Sequence, residues 1–178
     1  MRPGAVTWIG LRPERRKSVC SVPEADLDPA HGLSGDHYRG DKDQLRQVTL
    51  VQSEHLVAIA AFLGVVRIDP DRLRRNIVVS GINLLALRGH HFRFGSAILL
   101  GTGACHPCSR MEESLGTGGY NAVRGHGGIT ARVINGGRVQ LGDALVRIDA
   151  AAERAVDCAD VSISGPPDRA PPCMISSP

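Results

Sequence analysis

Short apolar runs, separated by glycines and polar turns, follow one another along most of the chain, and this spacing limits the folds open to it. Several runs combine β-branched residues with apolar alternation, which predicts about seven or more short strands. Helical patterns are few: residues 53–63, residues 69–75 and a short stretch after Cys108. Because strands and helices do not alternate, a doubly wound sheet is disfavoured. The pattern predicts a mainly β fold, a small closed or partly open β-barrel with two or three short helices.

The composition agrees with one such domain. A chain of 178 residues can bury a single core, and 42% of these residues are apolar. Aromatic residues make up only 3%, so valine, isoleucine, leucine and alanine must fill that core. We expect the barrel within residues 1–150. Residues 151–178 are polar and rich in proline, which predicts a poorly ordered tail.

Two local predictions concern the connections between strands. Residues 18–31 contain two prolines and scattered acids, and they predict a loop. Residues 129–134 and 138–141 are strand-like and flank Asn135-Gly136-Gly137. An Asn-Gly pair between two such runs is typical of a β-hairpin turn, so we expect these two strands to pair.

The chain carries no feature of a membrane or secreted protein. No apolar run is long enough to span a bilayer, and the N-terminus lacks the layout of a signal peptide. Five cysteines without regular spacing suit a reducing compartment. We therefore expect a cytoplasmic protein. The net charge of +3 is mild, so no nucleic acid polymer is expected. Most basic residues are arginine, which suits phosphate and carboxylate binding but also fits a genome-wide bias.

The segment Cys105-His106-Pro107-Cys108 contains the strongest candidates for chemistry. It follows a strand-like run and precedes a short helical pattern, and a cysteine at a helix start gains a stabilised thiolate. A thioredoxin-like dithiol has this spacing but needs a βαβ unit, and a zinc site needs a second pair. A cysteine hydrolase would need a distant histidine base, for which no signature is present. A thiolate that binds a soft metal or carries sulfur, and two inert buried cysteines, also stay open.

Other polar positions allow two interpretations each. Asp36 and His37 lie in a glycine-flanked loop, where Asp36 either bonds local backbone or forms part of a site. Residues 74–76 either face water or face an anion, and the sequence favours water. We expect residues 12–17 to form a solvated basic turn rather than an anion-binding one, and His55 to be a surface residue rather than a ligand.

An ordered set of motifs spans roughly residues 5–150: Gly35-Asp36-His37; Arg46 to Leu50 with Glu54; Arg75-Asn76-Ile77 with Gly81; Gly95 through Cys105 to Met111; Gly127 to Val133; and Gly142-Asp143. This set resembles the MOSC domain, named for the C-terminal domain of molybdenum-cofactor sulfurases. The resemblance is strongest to small stand-alone bacterial proteins of that family. It implies a β-barrel that binds the molybdenum cofactor (molybdopterin).

The resemblance also implies a role for one cysteine. Cys108, after Pro107, matches the cysteine that would bind molybdenum or carry a sulfane sulfur. Relatives of the amidoxime-reducing type reduce N-hydroxylated compounds with electrons from a separate protein, and here Cys108 would be the catalytic residue. A non-catalytic sulfur or cofactor carrier is the alternative. Pyridoxal phosphate is disfavoured because the two lysines, Lys17 and Lys42, lie away from the cysteines.

Residue types and motif positions name the candidates that would hold a pterin with a phosphate tail. They are Asp36, His37, Arg75, Asn76, Arg110, Asn121, Arg124 and Arg132. Backbone N–H groups near Gly125, Gly127 and Gly128 would assist. The resemblance assigns Cys105 no role, although a reversible disulfide with Cys108 is a further hypothesis. The substrate, electron donor and oligomeric state are left open.

Overall fold

The computed structural model describes residues 1–14, 17–38 and 43–149. The predicted tail, residues 151–178, lies outside the described residues. Eleven strands occur within the described ranges: β1 (Gly4–Leu11), β2 (Cys20–Val22), β3 (Glu24–Asp28), β4 (Gly32–Leu33), β5 (Val48–Gln52), β6 (Ile77–Ser80), β7 (His91–Phe94), β8 (Ala97–Ala104), β9 (Ile129–Asn135), β10 (Gly137–Gln140) and β11 (Ala144–Arg147). The helices are α1 (Ser53–Phe62), α2 (Arg110–Leu115) and α3 (Gly119–Val123), with 3₁₀ turns at Pro70–Leu73 and Leu84–Leu87.

Seven of these strands close into a barrel. Their order is β11-β7-β8-β9-β5-β6-β1, and β1 pairs back onto β11 to complete the ring. Only the β5–β6 pair of this ring is parallel, and α1 makes the crossover between those two strands. Strand β2 extends the sheet beyond β1, while β10, β3 and β4 form a separate small sheet. The predicted mainly β barrel with a few short helices is confirmed.

The predicted hairpin between residues 129–134 and 138–141 is wrong. Strand β10 pairs with β3, with Gly137 opposite Leu27, and it shares no ladder with β9. Gly136 does not adopt the positive φ that a tight Asn-Gly turn requires. The prediction of a loop at residues 18–31 is also wrong, because this segment contains β2 and β3. Its prolines lie just outside those two strands, where they interrupt no ladder.

The pleat of β5 and β6 divides the core into two clusters. Leu50, Ile77 and Val79 point into the barrel, where Phe92 and Phe94 also pack. The intervening residues of the same strands point outward and meet the helices. This outer cluster consists of Val51, Leu56, Ile59, Ala60, Ile68, Leu73, Val78, Met111, Ala122 and Val123. The three helices are therefore fixed on the outside of the barrel by alternate residues of two strands.

His55 joins α1 to the loop that follows α3. It was predicted to be a surface residue rather than a ligand; it is half-buried, and its ring meets that of His126 edge-on, with centroids 4.9 Å apart. The Nδ1 atoms of both rings are buried without a hydrogen-bond partner. Burial lowers the pKa of His55, and the neighbouring His126 lowers it further. None of the helices in the described ranges is long and apolar enough to cross a bilayer.

Candidate functional site

A cleft of about 440 Å³ opens where β8 ends and α2 begins. Both cysteines of the candidate segment line it. Among the described residues, the lining is Arg12, His37, Tyr38, Arg46, Thr49, Arg74, Arg75, Cys105, His106, Cys108 and Met111. None of these described residues is a carboxylate, whereas four of them are arginines. The cleft is therefore suited to an anionic ligand.

The two cysteines occupy different environments in this cleft. Cys105 is buried, and its N–H donates to the carbonyl of Gly128 at 2.9 Å. Cys108 is exposed, and its carbonyl accepts from the N–H of Met111 at 2.9 Å. Helix α2 begins only at Arg110 and has six residues. Cys105 therefore does not lie at a helix start, contrary to the sequence prediction.

Arg75 fixes the cysteine loop, the segment Cys105-His106-Pro107-Cys108, through hydrogen bonds to backbone carbonyls. Its Nε donates to the carbonyl of Gly127 at 2.8 Å, and Nη1 donates to that of Leu73 at 3.1 Å. Nη2 donates to the carbonyls of Cys105 at 3.3 Å and His106 at 3.5 Å. The side chain is buried, which lowers the pKa of Arg75. The guanidinium thus joins three segments of backbone and brings a positive charge beneath the thiols.

Asn76 is also buried, and the burial of Arg75 shows that the prediction of a water-facing arginine cluster is wrong for that residue. The Asn76 Oδ1 accepts from the Thr49 hydroxyl at 2.8 Å and from the Thr49 N–H at 3.2 Å. Its Nδ2 donates to the carbonyl of Gly10 at 3.4 Å. The amide therefore ties β1, β5 and the start of β6 together at the wall of the cleft.

Asp36 reaches across the fold instead of bonding its own turn. Its carboxylate accepts from Arg12 Nε at 3.1 Å and Nη2 at 2.8 Å, and from the Arg12 N–H at 2.7 Å. The Asp36 side chain is completely covered, whereas that of Arg12 keeps 22% of its exposure. The prediction that residues 12–17 form a solvated turn therefore fails for Arg12. The neighbouring His37 lines the cleft, and its N–H donates to the Arg12 carbonyl at 2.5 Å.

Arg74 lines the cleft at the edge that it shares with a neighbouring depression. Its backbone is left-handed, with φ of 57°, at the end of the 3₁₀ turn. A non-glycine residue held there costs on the order of 1 kcal/mol or more, and such residues cluster at functional sites. Burial lowers the pKa of Arg74, with smaller contributions from Arg12 and Arg110. Within the part of the chain that the structure describes, its guanidinium makes no hydrogen bond or ion pair.

The remaining predicted site residues are spread over a wider surface. Arg110 lines a second cleft of about 360 Å³ that shares Arg74 with the first. Asn121 and Arg124 are exposed on α3 and at its end. Arg132 lies on β9 opposite Leu100 and lines neither cleft. The fold thus brings together His37, Arg75 and Cys108, with Asp36 and Asn76 behind the wall.

Sequence reasoning missed several residues of the cleft as site candidates. They are Arg12, Tyr38, Arg46, Thr49, Arg74 and His106. The sequence contained a signal for two of these residues. Arg46 stands within a quoted motif, and Arg74 is adjacent to the candidate Arg75. Arg12 could be found only through its pairing with Asp36, which joins positions 24 residues apart.

The fold and the cleft define a small β-barrel protein with an exposed thiol in an arginine-rich depression. The sequence model of the MOSC domain matches residues 19–146, most of the chain, and the chain belongs to the MOSC domain family. This confirms the resemblance. No curated protein matches the chain.

Solved structures support the same fold. YuaD from Bacillus subtilis, crystallised as APC1665, is 23% identical with a TM-score of 0.70, over 81% of this chain and 94% of that one. YiiM from Geobacillus stearothermophilus is 15% identical with a TM-score of 0.67, over 92% and 87% of the two chains. YiiM from Escherichia coli is 20% identical with a TM-score of 0.60, over 82% and 70%. At these identities the likeness concerns the fold alone.

Proposed function

We propose that this MOSC protein binds the molybdenum cofactor with Cys108 as the metal ligand, and that the loaded protein reduces N-hydroxylated compounds. The observation that carries the proposal is one exposed thiol in a cleft whose lining, over residues 1–14, 17–38 and 43–149, has four arginines and no carboxylate. A pterin with a phosphate tail is an anion, and arginine forks match its phosphate oxygens.

The side chains available as ligands limit the kind of metal group that fits the cleft. No group of three or more histidine, cysteine or acidic side chains that could hold a metal ion occurs among the described residues. A resident metal bound only by protein side chains is therefore not supported there. A cofactor that brings its own sulfur ligands needs a single protein thiolate, and thiolates suit soft centres. The residues of the cleft fit such a group.

The chain's own residues divide the work of binding. Cys108 would anchor the metal, and Arg74, whose guanidinium has no other partner in the described residues, would pair with the phosphate. Arg12 is held toward the cleft by Asp36, so its charge is already oriented before a ligand binds. Arg75 keeps the cysteine loop in position and contributes charge from below.

Catalysis would need a two-electron couple, which the bound cofactor supplies, and protons, which the protein must handle. His37 and His106 line the cleft, and a histidine can donate a proton near neutral pH. Reduction of an N–OH group consumes two electrons and two protons and releases water. We propose that a separate electron-transfer protein provides the electrons, that the protein is cytoplasmic, and that neither a membrane nor a nucleic acid polymer is a partner.

Sulfur carriage is the second candidate function. The exposure of Cys108 favours it, because a partner protein must reach a thiol to load or unload a sulfane sulfur. In that case the arginines would stabilise the anionic persulfide. Of the predicted cofactor residues, Asn121, Arg124 and Arg132 lie outside the cleft, and neither function depends on them in this proposal.

Metal analysis of protein made in cofactor-producing cells tests the assignment. We expect stoichiometric molybdenum in the natural protein and in Cys105→Ala, and its loss in Cys108→Ala. Equal loss in both variants, or no molybdenum in any of them, would contradict the ligand assignment. Reduction of an N-hydroxylated purine with a chemical electron donor then tests the activity. A persulfide on Cys108 without molybdenum would favour the carrier.

A further inference from the structure

The cysteine pair contains an exposed and a buried thiol on one cleft. Cys108 is open to solvent, whereas Cys105 is 3% exposed, and both line the same cavity. Two residues, His106 and Pro107, separate them, which is the Cys-x-x-Cys spacing of redox-active dithiols. We propose that Cys105 and Cys108 form a reversible disulfide, in which Cys108 reacts first with a peroxide and Cys105 resolves the product.

The surroundings favour this order of events. Arg74 and Arg75 line the same cleft as the exposed thiol, and basic residues near a thiol are typical of reactive cysteines. A buried thiol beside a reactive one is shielded from the oxidant yet placed to attack it. Cys105 is therefore suited to the resolving role rather than to the first reaction.

The anchoring of the loop shows which cysteine would move. Cys105 is fixed on both sides, by its N–H on the Gly128 carbonyl and by its own carbonyl on Arg75. Cys108 is held through its carbonyl at the first turn of α2, and its side chain makes no hydrogen bond within the part of the chain that the structure describes. We infer that Cys108 approaches a stationary Cys105.

The chemistry balances in two steps. The Cys108 thiolate attacks one oxygen of hydrogen peroxide, an S–O bond forms, the O–O bond breaks, and hydroxide leaves to become water. The sulfur is oxidised by two electrons and the peroxide is reduced by two. The Cys105 thiol then attacks the sulfenic sulfur, an S–S bond forms, the S–O bond breaks, and the released hydroxide takes the Cys105 proton as water. An external thiol reductant reverses the disulfide by exchange.

The disulfide itself does not depend on molybdenum, but its consequence rests on the proposed function. While the Cys108 sulfur is bonded to that of Cys105, it cannot act as a metal ligand or carry a sulfane sulfur. Oxidation would therefore prevent loading of the cleft while protecting Cys108 from irreversible oxidation. The pair would make cofactor loading sensitive to peroxide.

The test uses the full chain with Cys20, Cys158 and Cys173 replaced by serine, so that only the pair remains. After brief treatment with hydrogen peroxide, we expect a mass loss of two hydrogens and protection of both cysteines from alkylation, restored by a thiol reductant. With Cys105→Ser added, we expect Cys108 to reach the sulfinic acid, which the reductant does not reverse. With Cys108→Ser added, Cys105 should stay alkylatable once the chain is unfolded.

Three results would overturn the proposal. They are sulfinic acid on Cys108 with Cys105 present, equal reversibility in the Cys105→Ser protein, and a disulfide between two chains. Mapping the oxidised cysteines of the parent protein, which keeps only Cys105 and Cys108, tests the disulfide even if a further variant fails to fold. Molybdenum loading after peroxide treatment is a separate readout, expected to fall and to recover on reduction. A protein that never binds molybdenum would refute the proposed function and leave the disulfide result unaffected.

Discussion

Replacing Arg75 with methionine is expected to destabilise the fold even without a cofactor. The change keeps much of the side-chain volume but removes the donors for four carbonyl groups. The bonds to Gly127 and Leu73 are short, at 2.8 Å and 3.1 Å, whereas those to Cys105 and His106 are 3.3 Å and 3.5 Å. A buried acceptor that loses its partner costs about 1–3 kcal/mol, so the two short bonds represent about 2–6 kcal/mol.

Part of that loss is offset because the variant no longer buries a charge. We therefore expect Arg75→Met to lower the free energy of unfolding by about 3 kcal/mol, which for a chain of this size is roughly 6–12 °C in Tm. Urea denaturation of the natural protein and the variant measures this difference from the midpoint and the slope. Unchanged slopes would show that the loss belongs to the folded state.

Arg46→Met is the matched control. Arg46 lines the same cleft but is exposed and makes no hydrogen bond or ion pair within the described ranges. Its replacement should change the free energy of unfolding by no more than about 0.5 kcal/mol. A loss below about 1 kcal/mol in Arg75→Met, or an equal loss in both variants, would refute the view that Arg75 holds the cysteine loop.

Three further outcomes are expected. Asp36→Asn removes the charge that Arg12 pairs with, and thermal unfolding should show a loss of about 1–3 kcal/mol; an unchanged Tm would contradict the positioning role. Because burial lowers the pKa of His55, the unfolded chain takes up that proton at higher pH, so stability falls as pH drops below about 6.5. Urea midpoints at about pH 7.5 and about pH 5.5 should differ less in His55→Phe than in the natural protein. In Gly128→Ala, a Cβ would overlap the Leu50 carbonyl at a positive φ, and soluble folded yield should collapse; a well-folded variant would be inconsistent with the described turn.

The barrel could be predicted because its signals are local. Runs such as Val48–Gln52 and Ile77–Ser80 consist of β-branched and apolar residues, and that pattern survives without knowledge of partners. The start and end of helix α1 could likewise be predicted from the residues of the helix itself. The cysteine segment, named from the sequence as the strongest candidate for chemistry, follows directly on β8 and lines the cleft.

The pairing of β10 could not be predicted in the same way. Asn135-Gly136-Gly137 has the composition of a tight turn, yet β3 offers β10 a ladder that begins with Gly137 opposite Leu27. That choice depends on a contact between residues more than a hundred positions apart. A local propensity loses to such a contact when the distant strand buries more apolar surface.

The sequence alone was enough to predict the fold class and the family, and it named Cys108 as a candidate. It could not determine which arginines surround that thiol. Because the backbone of Arg74 is left-handed, the side chains of Arg74 and Arg75 lie in different surroundings. Arg74 lies at the edge of the cleft, whereas Arg75 donates to buried carbonyls. Arg12 joins them only because Asp36 holds it across the fold. Charge at a site is the sum of residues from distant segments, so only the tertiary structure decides it.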